Sequence, residues 1–84
     1  MKKFGIEIRI TPRAGLLDPE GNAVLGALHT LHFDEVEDAR VGRLIRMQVQ
    51  AASADEARRR AEDMCRKLLA NPVTEDFAID VSGS

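Results

Sequence analysis

The sequence predicts an α+β domain with the element order β-α-β-β-α-β. Strand-like alternation recurs near both ends, two helical stretches carry their own start and stop signals, and a Gly-Arg step joins two strand-like runs between them. Phe4, Ile6, Ile8 and Ile10 alternate with Gly5, Glu7, Arg9 and Thr11, the period of a strand with one buried face. Pro12 and Gly15 stop it, and a loop leads to Asp18-Pro19, an N-cap followed by proline at the first helical position. Val24, Leu28 and Leu31 then form one apolar helical stripe. Gly21 and Gly26 each weaken this helix by about 1 kcal/mol relative to alanine, so close approach by another backbone is expected there.

Phe33-Asp34 ends the first helix, and Glu35 to Val41 reads as a second strand. Gly42-Arg43 turns it into a third, where Ile45, Met47, Val49 and Ala51 alternate with Leu44, Arg46, Gln48 and Gln50. Ser53 to Glu56 is a capping box, in which the serine oxygen takes a free amide proton and the glutamate reaches back. The helix it opens places Ala57, Ala61, Met64, Cys65 and Leu68 on one face and ends at Asn71-Pro72. A last strand follows, with Phe77, Ile79 and Val81 pointing one way, and residues 82–84 read as a frayed tail. The order is that of a ferredoxin-like fold: a four-stranded antiparallel sheet with two helices on one face. Its other face is then expected to be solvated by polar groups or covered by a second subunit.

The chain has 84 residues with 12 basic and 14 acidic side chains, for a net charge of −2. This fits one domain over 1–84, with about 5,000 Å² exposed when folded and little room for a private substrate cavity of roughly 300 Å³. No run of 18 apolar residues spans a membrane. Glu7 interrupts the first apolar run where a signal peptide needs it, and the single cysteine points to a reducing cytosol. Balanced charge, with three Phe and neither Tyr nor Trp, argues against nucleic acid.

Candidate chemistry is sparse. His29 and His32 are spaced to share a metal, but a site needs further ligands and none converges, so they read as surface residues at a helix end. Cys65 lies on the apolar face toward a helix C-terminus, where the dipole disfavours a thiolate. The carboxylate pairs, such as Asp34/Glu35 and Glu62/Asp63, read as caps and solvated faces rather than an acid–base pair. Arg58-Arg59-Arg60 shares its helix with four acidic residues and reads as a solvated face. Neither glycine-rich phosphate-loop pattern occurs. No catalytic residue and no metal site is expected, and a binding, regulatory or assembly role is.

Two segments and a short motif between them are specific. Leu17-Asp18-Pro19-Glu20-Gly21-Asn22-Ala23-Val24, then Ala27-Leu28 and Leu31, resembles the LDPxGxAVxxALxxL segment of the PurS family. Met64 to Val73, then Glu75-Asp76-Phe77, resembles that family's MCxKLLANPVIEDF segment, and Val41-Gly42-Arg43 resembles its strand-turn VGK. The resemblance implies the small, non-catalytic subunit of phosphoribosylformylglycinamidine (FGAM) synthase, in the fourth step of purine biosynthesis. It implies a homodimer or tetramer that bridges a glutaminase, PurQ, and a synthetase, PurL. ATP and magnesium would belong to PurL, with no cofactor on this chain. The partner contacts it suggests are Leu17, Asp18, Pro19 and Gly21, then Asn71 and Pro72, with Arg40 and Arg43 flanking the hairpin turn. His32 departs from the family, which often has glycine there. Ala39 and Thr74 stand where larger aliphatic residues are common. The alternative is a free-standing regulatory module of the same topology, resembling an ACT domain, which would bind an amino acid at a dimer interface through the Ala14-Gly15-Leu16 loop.

Overall fold

The computed structural model describes residues 1–13 and 18–83. Its first strand, β1 (Lys2–Pro12), is the centre of a three-stranded antiparallel sheet. On one side lies β2 (Arg43–Ala51) and on the other β3 (Glu75–Gly83), giving the order β2-β1-β3. The register sets Ile8 opposite both Ile45 and Ile79. Phe4, Ile6, Ile8 and Ile10 are all buried, as their alternation requires, and the half-buried Ile45, Met47, Val49, Phe77, Ile79 and Val81 flank them. Each fully buried isoleucine contributes about 1.5–3 kcal/mol from area alone.

Helix α2 (Ala54–Met64) covers this face. The Ser53 hydroxyl accepts the Glu56 N–H at 3.2 Å, so the serine half of the capping box is present. The helix meets the sheet through Ala57, Ala61 and Cys65, all fully buried. Small side chains at these positions let the helix axis come close to the strands. A π-helical turn over Cys65–Leu69 ends it, with the Ala70 N–H donating to the Cys65 carbonyl at 3.0 Å. The extra residue in that turn rotates Leu68 out to 82% exposure while Leu69 stays half-buried.

Helix α1 (Pro19–Thr30) differs from expectation. It lies off the sheet, without extensive packing on any strand or on α2, so only one helix covers the core. The molecule is therefore elongated, 51 × 25 × 14 Å, with a radius of gyration of 16.2 Å. A compact chain of this length has about 12 Å. The exposed surface of 6004 Å² is about 1,000 Å² more than such a chain shows. Gly26 has open space around it, contrary to the close approach expected there, whereas Gly21 is buried.

The expected strand over Glu35–Val41 does not form among the described residues, and neither does the hairpin joining it to β2. The local cause is at Val41-Gly42. The Val41 N–H is taken by Asp18, and Gly42 lies against the Ile10 carbonyl oxygen so closely that a Cβ would overlap it. The chain is thereby fixed across the end of β1 instead of turning back along β2. At the C-terminus, by contrast, pairing extends further than expected. Ser82 and Gly83 pair with Gly5 and Phe4 rather than fraying.

Helix α1 ends in a Schellman motif. The Phe33 N–H donates to Leu28 O at 2.9 Å and the His32 N–H to His29 O at 3.0 Å. This requires a left-handed residue at 32, and His32 sits at φ 71°. A non-glycine residue there costs about 1–2 kcal/mol. His32→Gly is accordingly expected to stabilise the chain by about 1 kcal/mol, read as a higher denaturation midpoint. A lower midpoint would show that the histidine side chain offsets its own strain.

Candidate partner interface

The described candidate residues gather at one end of the sheet, where β1 finishes and β2 and β3 begin. They form two clusters. In the first, Asp18 uses both carboxylate oxygens on backbone. Oδ1 accepts the Gly21 N–H at 3.0 Å and Oδ2 accepts the Val41 N–H at 3.1 Å. One side chain thus caps α1 and ties it to the segment that enters β2. Pro19 supplies the first helical residue without an N–H to satisfy. Gly21 is glycine because the Ala39 carbonyl and the Asp18 carboxylate occupy the space of a Cβ. Arg40 does not flank a hairpin, and its Nε donates to Asp38 Oδ2 at 3.2 Å. Leu17 lies outside the described residues, as does the Ala14-Gly15-Leu16 loop of the regulatory alternative.

The second cluster builds the turn from Ala70 to Glu75. Asn71 Oδ1 accepts the Val73 N–H at 3.0 Å, and the Asn71 carbonyl accepts the Glu75 N–H at 2.8 Å. Glu75 Oε1 accepts the Asn71 N–H and the Arg43 Nη2–H, both at 2.8 Å. Arg43 Nη2 also donates to Leu69 O at 3.0 Å. Arg43 thus belongs with Asn71 and Pro72, not with a hairpin partner of Arg40.

Sequence reasoning missed the residue that organises this turn. Arg13 donates from Nη1 to Val73 O, from Nη2 to Pro72 O and Glu75 O, and from Nε to Asp76 Oδ1, over 2.9–3.2 Å. These groups lie some sixty positions away in the chain, and only the antiparallel pairing of β1 with β3 brings them together. An arginine directly after a strand and an acidic residue directly after an Asn-Pro turn were the available signals. Neither specifies its partner.

The clusters frame two shallow clefts. One, of about 270 Å³, is lined by Asp18, Asn22, Asp38 and Arg40 among others. The second, of about 410 Å³, is lined by Arg66, Pro72, Asp76 and Phe77, and Arg13 borders both. Beside the second turn Val73 is 73% exposed. On the arm that α1 and the residues just after it form beside the sheet, Leu31 and Phe33 are 64% and 48% exposed. The opposite face of the sheet is polar, crossed by the ion pairs Glu7–Arg46 at 2.7 Å and Arg9–Asp80 at 2.9 Å. Burial raises the Cys65 thiol pKa, with Arg66 lowering and Glu62 raising it by smaller amounts. The thiol stays protonated and packs as a small apolar group. Among the described residues no group of three His, Cys, Asp or Glu side chains is placed to hold a metal, and no helix is long and apolar enough to cross a membrane.

Carboxylates bound to backbone, arginines bound to carbonyls and exposed aliphatic side chains mark this end of an α+β domain as its candidate interaction surface. The chain belongs to the PurS family of phosphoribosylformylglycinamidine (FGAM) synthase, whose family model matches residues 5–83. The PurS subunit of that synthase from Archaeoglobus fulgidus is 40% identical over 73 residues, covering 87% of this chain and 91% of that one. The crystal structure of PurS from Methanocaldococcus jannaschii, a subunit of formylglycinamide ribonucleotide amidotransferase in the purine biosynthetic pathway, superimposes with a TM-score of 0.81. The two are 32% identical, over 94% of this chain and 95% of that one. A chain of the PurLQS structure from Thermotoga maritima matches with a TM-score of 0.87 at 27% identity, over 98% of this chain and 100% of that chain.

Proposed function

We propose that this chain is the non-catalytic small subunit of FGAM synthase, joining the PurQ glutaminase to the PurL synthetase. The observation that supports this most directly is the match, over nearly the whole chain, to a subunit of the PurLQS assembly. In the full reaction PurQ hydrolyses glutamine to glutamate and ammonia. PurL, with ATP and magnesium, transfers the γ-phosphoryl group to the amide oxygen of formylglycinamide ribonucleotide, which releases ADP and makes the amide carbon electrophilic. Ammonia attacks that carbon, and the oxygen leaves with the phosphoryl group as inorganic phosphate. The attacking lone pair is lost if ammonia is protonated in bulk water, so the passage between the two sites must exclude solvent. A small subunit serves this by closing the joint, which needs rigid, preformed turns rather than reactive groups. The Asp18 clamp and the Arg13–Asn71–Glu75 turn supply that rigidity at one end of the sheet.

The excess exposed surface exceeds the about 800 Å² per partner of a standard interface, which supports a homo-oligomer of these subunits as well as contact with PurL and PurQ, and the single cysteine favours the cytoplasm as their compartment. The test is reconstitution. Glutamine-dependent amidine formation by the host's PurL and PurQ is expected only when this chain is added, while synthesis from supplied ammonia proceeds without it. Full glutamine-dependent activity in its absence would overturn the reading.

A further inference from the structure

The turn that leads into β3 closes its backbone on itself. Residues 71–74 are all exposed, so water could satisfy their polar groups. Yet every main-chain N–H and C=O from Asn71 to Glu75 has a partner inside the chain. The N–H of Asn71 goes to Glu75 Oε1 and that of Val73 to Asn71 Oδ1. Those of Thr74 and Glu75 share the Asn71 carbonyl, at 3.2 and 2.8 Å, and Pro72 has no N–H. The Thr74 carbonyl accepts the Arg13 N–H at 2.8 Å. The Arg13 guanidinium takes the carbonyls that are left, those of Pro72, Val73 and Glu75.

In water such closure adds little, because solvent competes for each of these groups. It matters when the turn is taken out of water, since a buried carbonyl without a donor bears the full cost of its lost hydration. Asp76 Oδ1 accepts the Arg13 Nε–H at 3.1 Å, so the guanidinium charge is paired beside the carbonyls it serves. Apolar groups are presented at the same place: Pro72 and Val73 are exposed, the valine by 73%. A turn with no free backbone group and an exposed valine suits an apolar recess, not a hydrogen-bonding one.

We propose that the 71–75 turn is buried dry in an apolar recess of a larger subunit of the synthase, with Arg13 as the positioning residue that permits it. The inference rests on the assembly reading above and assigns one of its contacts to named residues. Full-length variants are titrated into PurL and PurQ while glutamine-dependent amidine formation is followed, giving a half-saturating concentration and a maximal rate for each. Arg13→Met is expected to raise the half-saturating concentration at least about tenfold, because its three carbonyls lose their donor where water cannot replace it. The maximal rate at saturating chain and the urea midpoint are expected to stay close to those of the parent. An arginine that served the fold alone would lower the midpoint instead. Arg13→Lys, whose ammonium can serve only part of this set, is expected to be intermediate. Val73→Asp is expected to give at least the same rise, and the double variant no more than Val73→Asp alone, since an unburied turn does not need the guanidinium. Additive effects, or an unchanged half-saturating concentration in either single variant, would overturn the inference and leave the assembly reading standing. Loss of self-association in Val73→Asp, read by sedimentation, would overturn it too, by placing the recess on a second copy. Full glutamine-dependent activity without this chain would remove both readings.

Discussion

Replacing Ile8 by alanine is expected to destabilise the chain by about 3–5 kcal/mol, toward the upper end of the range for buried large-to-small substitutions. Ile8 is fully buried at the centre of the middle strand, with Ile45 and Ile79 on either side. The helix above presents Ala57 and Ala61, which have no side-chain length with which to fill the space. The void therefore persists, and its cost adds to the lost transfer energy. A domain of this size has roughly 4–13 kcal/mol of stability in all, so the variant is expected to unfold near or below ambient temperature. Urea denaturation gives the measurement, with a lowered midpoint at unchanged slope. Arg9→Ala, on the polar face and paired with Asp80 at 2.9 Å, is the control and is expected to cost less than about 1 kcal/mol. Similar costs for the two variants would show that the alternating strand is not the centre of the core.

Much of the fold was legible because it rests on local patterns. The alternation from Phe4 to Ile10, the Asp18-Pro19 helix start, the Ser53 cap and the strand around Phe77 each state their structure within a few residues. Three features were not legible. Glu35 to Val41 looks like a strand, but pairing needs a free edge within reach. The Asp18–Val41 bond and the Gly42–Ile10 contact, both of long sequence separation, deny it that edge in its own chain. Likewise the stripe Val24, Leu28, Leu31 says that α1 has an apolar side and not what lies against it. The π-helical turn at Cys65 has no local signature at all. Of the candidate site, Asp18 and Asn71 were legible as a helix start and a helix stop and Gly21 as a point of close backbone approach, whereas Arg13 and Glu75 matter only once β1 and β3 are side by side.

The second large effect is expected at Gly21. An alanine within the first turn of an ordinary helix gains about 1 kcal/mol over glycine. Here the sign reverses, because the new Cβ overlaps the Ala39 carbonyl and the Asp18 carboxylate. The carboxylate cannot simply swing aside, since its two oxygens hold the Gly21 and Val41 N–H groups. Either the cap or the crossing segment must let go, and Gly21→Ala is expected to cost about 1–3 kcal/mol. Amide exchange separates this from a general loss of stability. The Val41 amide is expected to lose its protection while those of Ile6 and Ile8, in the core of the sheet, keep theirs. Reconstituted glutamine-dependent activity is expected to fall with the detached arm, and ammonia-dependent activity to be unaffected. Because α1 has no extensive packing on the sheet, this clamp is what fixes its direction. A stabilised Gly21→Ala chain would mean that the 38–41 segment follows the helix without strain, and that the glycine serves a contact made only in the assembled complex.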